Sequence, residues 1–574
     1  MKNTWKTINE TLGKNKKDSK LPTYVQHNNT TLSNPTEIAN VFNDFFVNIG
    51  TNLSSTINTN DDNFTFQQYL QTPSTSTCIL NNICERDVLK LIHELDNKSS
   101  SGNDCISNKM LKYIKNEISR AVTLIINQML NSGIFPDRLK ISKIIPVYKK
   151  GNANLLNNYR PISLLPTISN IFERVIYNQL YNYFNDNQLL SEQQYGFRAQ
   201  HSTELAALKL VDYIKHAIDQ KRTPVNIYID LSKAFDTLNF DILLYKLAYY
   251  GVTGTAHKLI ESYLTNRIQY VKYDTHQSTL KQIKTGVPQG SILGPLLFSI
   301  YINDLVTVNS QFKFLMYADD TTIYFDIEDF NNNEIENQIN NELNKMNIWL
   351  KQNRLSLNAE KTKCMIFHTR QRHIEPRQFS IDGKEIENVK FFKFLGIIFD
   401  EHLTWKSHTK MVTNKLSKLV GIIYRLKHVY PQQALLLLYN SIFISHINYG
   451  LLLWGTQLKE VFNLQKKVVR IITCSDYIAH SEPLFKLLGL LKVQDLYQLK
   501  VLKFYYNLSY KLLPSYFDNY LDIINNDIGC IYELRRSARP LIRLPRTRLM
   551  FTESTLLYEL IKIINSTHDN NQAF

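Results

Sequence analysis

Three carboxylates stand where apolar strands should exclude them. The run FKFLMYADDTTIYF, residues 312–325, carries Asp319 and Asp320 in its middle, and NIYID, residues 226–230, is a second apolar run closed by Asp230. An unpaired carboxylate taken out of water costs several kcal/mol. A lone Tyr-x-Asp-Asp is also an ordinary hairpin tip, where Asp is a common turn residue. If the two runs are neighbours in one sheet, however, the strand ends meet and the carboxylates converge. Repulsion would then protonate one member unless cations held the group. Mg²⁺ suits such a site, because it takes hard oxygen ligands, keeps several waters and leaves positions for substrate phosphates. Two ions about 3.5–4 Å apart would activate an attacking hydroxyl and neutralise a leaving pyrophosphate. Asp230 and Asp319 are the main candidate ligands, with Asp320 beside them. Alternation along a strand would turn Asp320 to the opposite face.

The elements that must position these residues are legible as changes of period. Ile144 to Tyr148 reads as a strand running into a basic turn, and 168–184 as a helix. The run 225–230 reads as a strand passing into a helix, and 269–273 as another strand. A Gly/Pro turn at 286–290 precedes a helix from 291. Residues 312–325 read as two strands joined at the aspartates. A helix (334–354), a strand (364–368) and a hairpin (379–399) follow. Beyond 405 the pattern is helical: 406–428, 432–448, 458–473 and 484–513. Near the N-terminus, 37–50 forms one amphipathic helix whose Val41, Phe42, Phe45, Phe46 and Ile49 share a face that must dock on something. TPSTSTC (72–78) reads as a linker.

The chain has 574 residues, 44% of them hydrophobic, enough for two to four globular domains. Its formal net charge of +15 points to an anionic partner, most simply nucleic acid. The six cysteines are scattered, as reduced intracellular thiols are, and they form no zinc site. Cys364 and His368 lie four apart, but no second pair completes a set of four ligands. The first twenty residues lack the apolar core of a secretory signal. The most membrane-like stretch, 435–454, is interrupted by Asn440, Ser441, Ser445, His446 and Asn448 and reads as a buried helix pair.

In order along the chain, Asp230-Leu-Ser-Lys-Ala-Phe-Asp236, TGVPQGSILGPLLFSIYINDL (285–305) and YADD (317–320) resemble the reverse transcriptase of non-LTR retrotransposons, in particular the jockey-like LINE elements. IIPVYKKGN, NYRPISLLPTISNIFERVI, QQYGFRAQHST (193–203), LSLNAEKTKCMIF and FKFLGIIFD extend the likeness over 85–400, and more loosely to about 520.

This resemblance implies an α/β (α+β) right-hand polymerase. Residues 1–84 would be a polar linker segment with an amphipathic helix. Residues 85–400 would form fingers and palm with an antiparallel palm sheet, the core motifs spanning 130–400. A helical thumb and C-terminal region would occupy 401–520, and a basic tail 521–574. The implied reaction is extension of a DNA 3′-hydroxyl on an RNA template with two Mg²⁺ ions. Its partners would be template RNA, a DNA primer or target and deoxynucleoside triphosphates, with no membrane and a nuclear location. Catalysis and metal binding fall to Asp230, Asp319 and Asp320. Lys149, Lys150, Arg160, Phe235, Gln289, Lys361 and Lys363 would handle the nucleotide, with Phe235 beneath its sugar. Gly286, Pro288, Gly290 and Arg198 would meet template and primer. Asp236 reads as a local hydrogen-bonding residue. The arginines 535, 536, 539, 543, 546 and 548 are candidates for phosphate contact. Such elements ordinarily carry an apurinic-type endonuclease ahead of the polymerase, and that domain is expected to be lacking here. The competing readings are a catalytically silent nucleic-acid-binding remnant and a maturase-like splicing factor on the same fold.

Overall fold

The computed structural model describes residues 22–27, 30–55, 65–71, 73–309, 311–330, 334–375, 377–527, 542, 544–549 and 552–569. Arg535, Arg536, Arg539, Arg543 and Cys530 lie outside these. The chain divides into two compact units: the first from 1–190, 231–307 and 348–356, the second from 191–230, 308–347 and 357–574.

The first unit is built on a five-stranded sheet. Tyr159–Leu164, Ile141–Tyr148, Ile268–Tyr273 and His276–Gln277 run side by side, and Lys281–Gln282 also pairs with Ile268–Tyr273. Ile141–Tyr148 lies antiparallel to Tyr159–Leu164 and parallel to Ile268–Tyr273. Its alternation buries Ser142, Ile144 and Pro146 on one face. Onto that sheet packs the helix Pro35–Ser55. It opens with a proline, which needs no amide partner there, and with Asn34 Oδ1 accepting from Thr36 N. Phe42, Phe46 and Ile49 join Ile144, Tyr159, Val271 and Tyr273 in one buried cluster, with Val41 and Phe45 partly covered at its edge. The apolar face seen in the sequence is thus part of the first unit's core.

The second unit carries the carboxylates. Its sheet has the order Glu387–Asn388, Lys363–Ile366, Thr223–Ile229, Asp320–Ile327, Lys313–Tyr317. All neighbours are antiparallel except the edge pair Lys363–Ile366 and Glu387–Asn388, which is parallel. All seven residues of the strand Thr223–Ile229 are buried, as a central strand covered on both faces requires. The helix Thr203–Asp219 packs on it, opened by Ser202 Oγ accepting from Leu205 N.

Three elements differ from the sequence reading. Tyr159–Leu164 is a strand, where the sequence reading draws no element between the basic turn and the helix at 168–184. It lies at the sheet edge, where Pro161 without its N–H is tolerated. Residues 379–399 form two hairpins rather than one, Ser380–Ile381 with Lys384–Glu385 and Phe391–Phe394 with Ile397–Asp400. Asp382-Gly383, both at positive φ, make the two-residue turn of the first. The helix expected over 484–513 is broken into Ser481–Leu488 and Val493–Ser509 by Gly489, whose φ of +60° ends the first helix. Among the described residues no helix is long and apolar enough to cross a membrane, and the stretch 435–454 is broken at Gly450, in the left-handed conformation, ahead of the buried Leu451–Trp454.

Candidate active site

The register brings the aspartates together. Ile229 pairs with Thr321, so one residue further on Asp230 leaves its strand beside the start of the neighbour, where Asp320 pairs with Tyr317. Ala318 and Asp319 form the two-residue loop between the hairpin strands, with Ala318 at φ +57°. Asp319 is therefore a turn residue and Asp320 the first strand residue. The hairpin tip and the carboxylate site are one feature.

Two segments pin this edge. The stretch 193–196 lies along the outer strand, with Met316 N donating to Gln193 O at 2.8 Å and Tyr195 N to Met316 O at 2.7 Å. Gln194 Oε1 accepts from both Gly196 N (2.7 Å) and Ala318 N (3.1 Å), which clamps the aspartate loop from below. Only glycine fits at 196, since a Cβ there would lie 2.3 Å from Ala318 N. On the other side, Asn358 N donates to the Asp230 carbonyl at 2.8 Å, and Lys361 Nζ stands 3.1 Å from Asp230 Oδ2. Sequence reasoning missed Gln194 and Asn358. Both act through backbone groups, which leave no charge pattern to read.

Lys361 thus meets one predicted catalytic carboxylate directly. Lys363 instead pairs with Glu387 at 2.6 Å across the parallel edge. Arg198 donates to the Ser191 carbonyl at 2.7 Å, bracing its own loop. Lys149 and Lys150 are exposed in the turn between Ile141–Tyr148 and Tyr159–Leu164. Exposed Arg160 is registered opposite Val147.

In the first unit the motif around 285–294 is held by the protein's own backbone. Gly286 (φ +81°) and Gly290 (φ +129°) sit where a Cβ would come 2.7 Å from Asp236 O and 2.6 Å from Ser163 O. Pro288 is buried, and its carbonyl accepts from Ser291 Oγ. Gln289 donates from Nε2 to both oxygens of Asp236 at 2.9 Å, while its carbonyl accepts from Ser163 N at 2.8 Å. Burial pushes the Asp236 carboxyl up to about 6, against the hydrogen bonds from Gln289 and the nearby charge of Lys233, which lower it. Phe235 stacks on buried Phe298, ring centres 4.7 Å apart. Buried Glu173, unremarked in the sequence, receives Ile292 N at 2.7 Å and Leu293 N at 3.3 Å and so anchors the start of the helix Gly294–Tyr301. Burial raises its pKa, while the charge of Arg267 opposes the rise.

The oxygen-only donor set of Asp230, Asp319 and Asp320 is of the kind that holds Mg²⁺. The ammonium of Lys361 on Asp230 is what an accumulation of negative charge at these strand ends calls for. Among the described residues the set of three His, Cys, Asp or Glu donor atoms found within 4.8 Å of one another is a different one, His368, Glu401 and His402. Of the C-terminal arginines, Arg548 donates to the carbonyls of Ile218 and Asp219 and closes the end of the helix Thr203–Asp219, while Arg546 is exposed.

Residues 147–399 match the family model described as reverse transcriptase (RNA-dependent DNA polymerase). It is 28% identical over 446 residues to the RNA-directed DNA polymerase from mobile element jockey of Drosophila melanogaster, covering 75% of this chain and 48% of that one. It is 29% identical over 448 residues to the probable RNA-directed DNA polymerase from transposon BS of the same fly, covering 74% and 48%. The corresponding X-element protein is 27% identical, covering 71% and 46%. The chain therefore spans just under half the length of these relatives. Among solved structures, telomerase from Candida albicans, in a complex with a fragment of telomeric RNA, matches with 14% identity and a TM-score of 0.32, over 68% of this chain and 66% of that one.

Proposed function

We propose that the chain is an RNA-directed DNA polymerase of a non-LTR retrotransposon of the jockey kind, extending a DNA 3′-hydroxyl on an RNA template. The observation that carries this reading is the register of Ile229 with Thr321, which sets Asp230 beside Asp319 and Asp320 inside the matched domain. In this reading the second unit's sheet is the palm, the 141–164 hairpin belongs to the fingers, and the helices after 405 supply the thumb. Asp230 and Asp319, with Asp320, would hold two Mg²⁺ ions, which supply charge neutralisation at the reacting phosphate. Lys361 orients Asp230 before nucleotide arrives, and its flexible stem lets the ammonium turn to departing phosphate charge. Lys149, Lys150 and Arg160 would meet the triphosphate, Arg160 with a planar fork. Gln289, its amide oriented by Asp236, would present its free edge to the base pair, with Gly286, Pro288 and Gly290 shaping that turn. Phe235 would lie under the sugar. Arg198 and Lys363, bound as they are to Ser191 and Glu387, would act on primer, template or nucleotide through the loops they brace.

Primer extension by the purified chain on an RNA template with Mg²⁺ and deoxynucleotides tests this. Asp230→Asn and Asp319→Asn should each abolish extension and leave template binding intact. Extension near the wild-type rate by either variant would sink the carboxylate assignment.

A further inference from the structure

The second unit holds a group of metal-ligand type that the proposed polymerase chemistry does not use. His368 follows the strand Lys363–Ile366, and Glu401 and His402 follow the strand Ile397–Asp400. The two chain segments are joined by their backbones, with His368 N donating to Glu401 O at 3.1 Å and Glu401 N to Lys390 O at 3.2 Å. The side chains therefore project from fixed platforms. Asp400 stiffens one platform further, its carboxylate accepting from the amides of His402, Thr404 and Trp405 at 3.0–3.2 Å.

Each ring has its Nδ1 against a backbone carbonyl: His368 on Thr369 O at 3.0 Å, His402 on His368 O at 2.9 Å. A carbonyl only accepts, so each Nδ1 carries the proton, and in the neutral ring Nε2 keeps its lone pair. Both Nε2 atoms turn to Glu401. His368 Nε2 lies 3.9 Å from one carboxylate oxygen and His402 Nε2 3.7 Å from the other. These distances are too long for hydrogen bonds. They are close to the roughly 3.3–3.6 Å that separates donor atoms around a tetrahedral ion with bonds of about 2.0–2.2 Å. The rings stand at 90° with centres 4.6 Å apart, and the three side chains are 16–25% exposed, half sheltered but reachable from solvent.

We propose that His368, Glu401 and His402 form a binding site for a borderline divalent transition-metal ion of the Zn²⁺ class, three protein ligands with a fourth position for water. Two imidazoles discriminate against Mg²⁺, which prefers an all-oxygen shell. The site is thus chemically separate from the carboxylates at 230, 319 and 320. The backbone carbonyls on Nδ1 are the outer partners that metal-binding histidines ordinarily have. The bound ion fastens the chain at 368 to the chain at 401–402, just ahead of the helix Lys406–Leu426. Neither residue pair stands out in the sequence. His368 invites pairing with Cys364, but Cys364 is fully buried within its strand.

The test uses the full chain, treated with chelator and then kept in excess Mg²⁺, titrated with Zn²⁺ alone by calorimetry and with Co²⁺ by visible absorption. The expected result is one equivalent bound, a tetrahedral Co²⁺ spectrum, and a Tm that rises with Zn²⁺. Glu401→Gln and the double variant His368→Asn/His402→Asn should weaken binding by more than the ~10–100-fold that follows loss of an outer partner alone. Asp230→Asn should bind as wild type does. If the double variant does not fold, Glu401→Gln alone decides. Failure of the wild-type chain to bind one equivalent, or binding unchanged by Glu401→Gln, would overturn the proposal. A failure here with polymerase activity intact would leave the proposed function standing.

Discussion

Gly196→Ala places one methyl group under the aspartate loop. The added Cβ would meet Ala318 N at 2.3 Å and Tyr317 C at 3.0 Å, both backbone atoms that cannot swing aside. An ordinary contact begins at 3.4 Å, so the loop must give by about 1 Å, or the 193–196 segment must leave it. Either movement stretches the bond from Ala318 N to Gln194 Oε1, worth about 1 kcal/mol net. The larger effect falls on Asp319, the next residue. A displacement of about 1 Å at reacting groups commonly costs about a hundredfold in rate. Single-turnover extension at saturating nucleotide and Mg²⁺ should therefore fall by about 10²-fold, with template affinity unchanged and Tm lowered only a few degrees. Gly421→Ala is the control. It lies within the helix Lys406–Leu426 with no atom within 4 Å of its Cβ, and should leave the rate alone while stabilising by up to about 1 kcal/mol. A Gly196→Ala enzyme extending within about threefold of wild type would refute the clamp.

Phe235→Val separates packing from nucleotide selection: a changed ratio of ribonucleotide to deoxynucleotide kcat/KM supports contact with the sugar. Equal loss of both, with lowered Tm, means that Phe235 serves only its stack on Phe298. The Asp236 carboxyl, raised to about 6, makes the native state bind its proton more tightly than the unfolded chain, whose value is about 3.9. Stability from this group falls as pH rises from about 4 to 6, and the penalty is complete above that. The Tm of wild type should thus gain on that of Asp236→Asn as pH drops from 7 to 5, and parallel profiles would refute the assignment. Lys246 is fully buried, with its ammonium on Tyr301 O at 2.7 Å and Asp304 Oδ1 at 2.5 Å. Lys246→Met should cost about 3–5 kcal/mol by denaturant titration, because Asp304 is left charged and buried.

Much of this was legible in the residues, for reasons that differ from element to element. The hairpin at 313–327 announces itself because long apolar runs flank a pair of aspartates, the first of them in the turn, and the strand at 223–229 because β-branched residues crowd it. The helix Pro35–Ser55 shows a clear apolar face, and its partner, the sheet with Ile144 and Val271, follows only from the fold. What stayed hidden is contact made by main chain or by side chains far apart in sequence. Gln194 beneath Ala318, Asn358 on the Asp230 carbonyl and Glu173 under Ile292 have no local signature. Gln289 reads as facing a ligand, yet its amide nitrogen is spent on Asp236. The edge strand Tyr159–Leu164 was masked by Pro161, and Gly489 was too short a signal to divide a long apolar helix.

The central strand Thr223–Ile229 has a consequence for how the protein is made. Its two partners are encoded far downstream: Ile229 pairs with Thr321 and Val225 with Ile366. At a synthesis rate of about 5–20 residues per second, seven fully buried residues wait several seconds on the ribosome before either neighbour emerges. Through that interval both edges stand open to any other extended chain. Nascent chains halted between Asp230 and Ile366 should be prone to aggregate rather than partly active, and a chaperone that shields one short apolar strand would govern the yield of the whole.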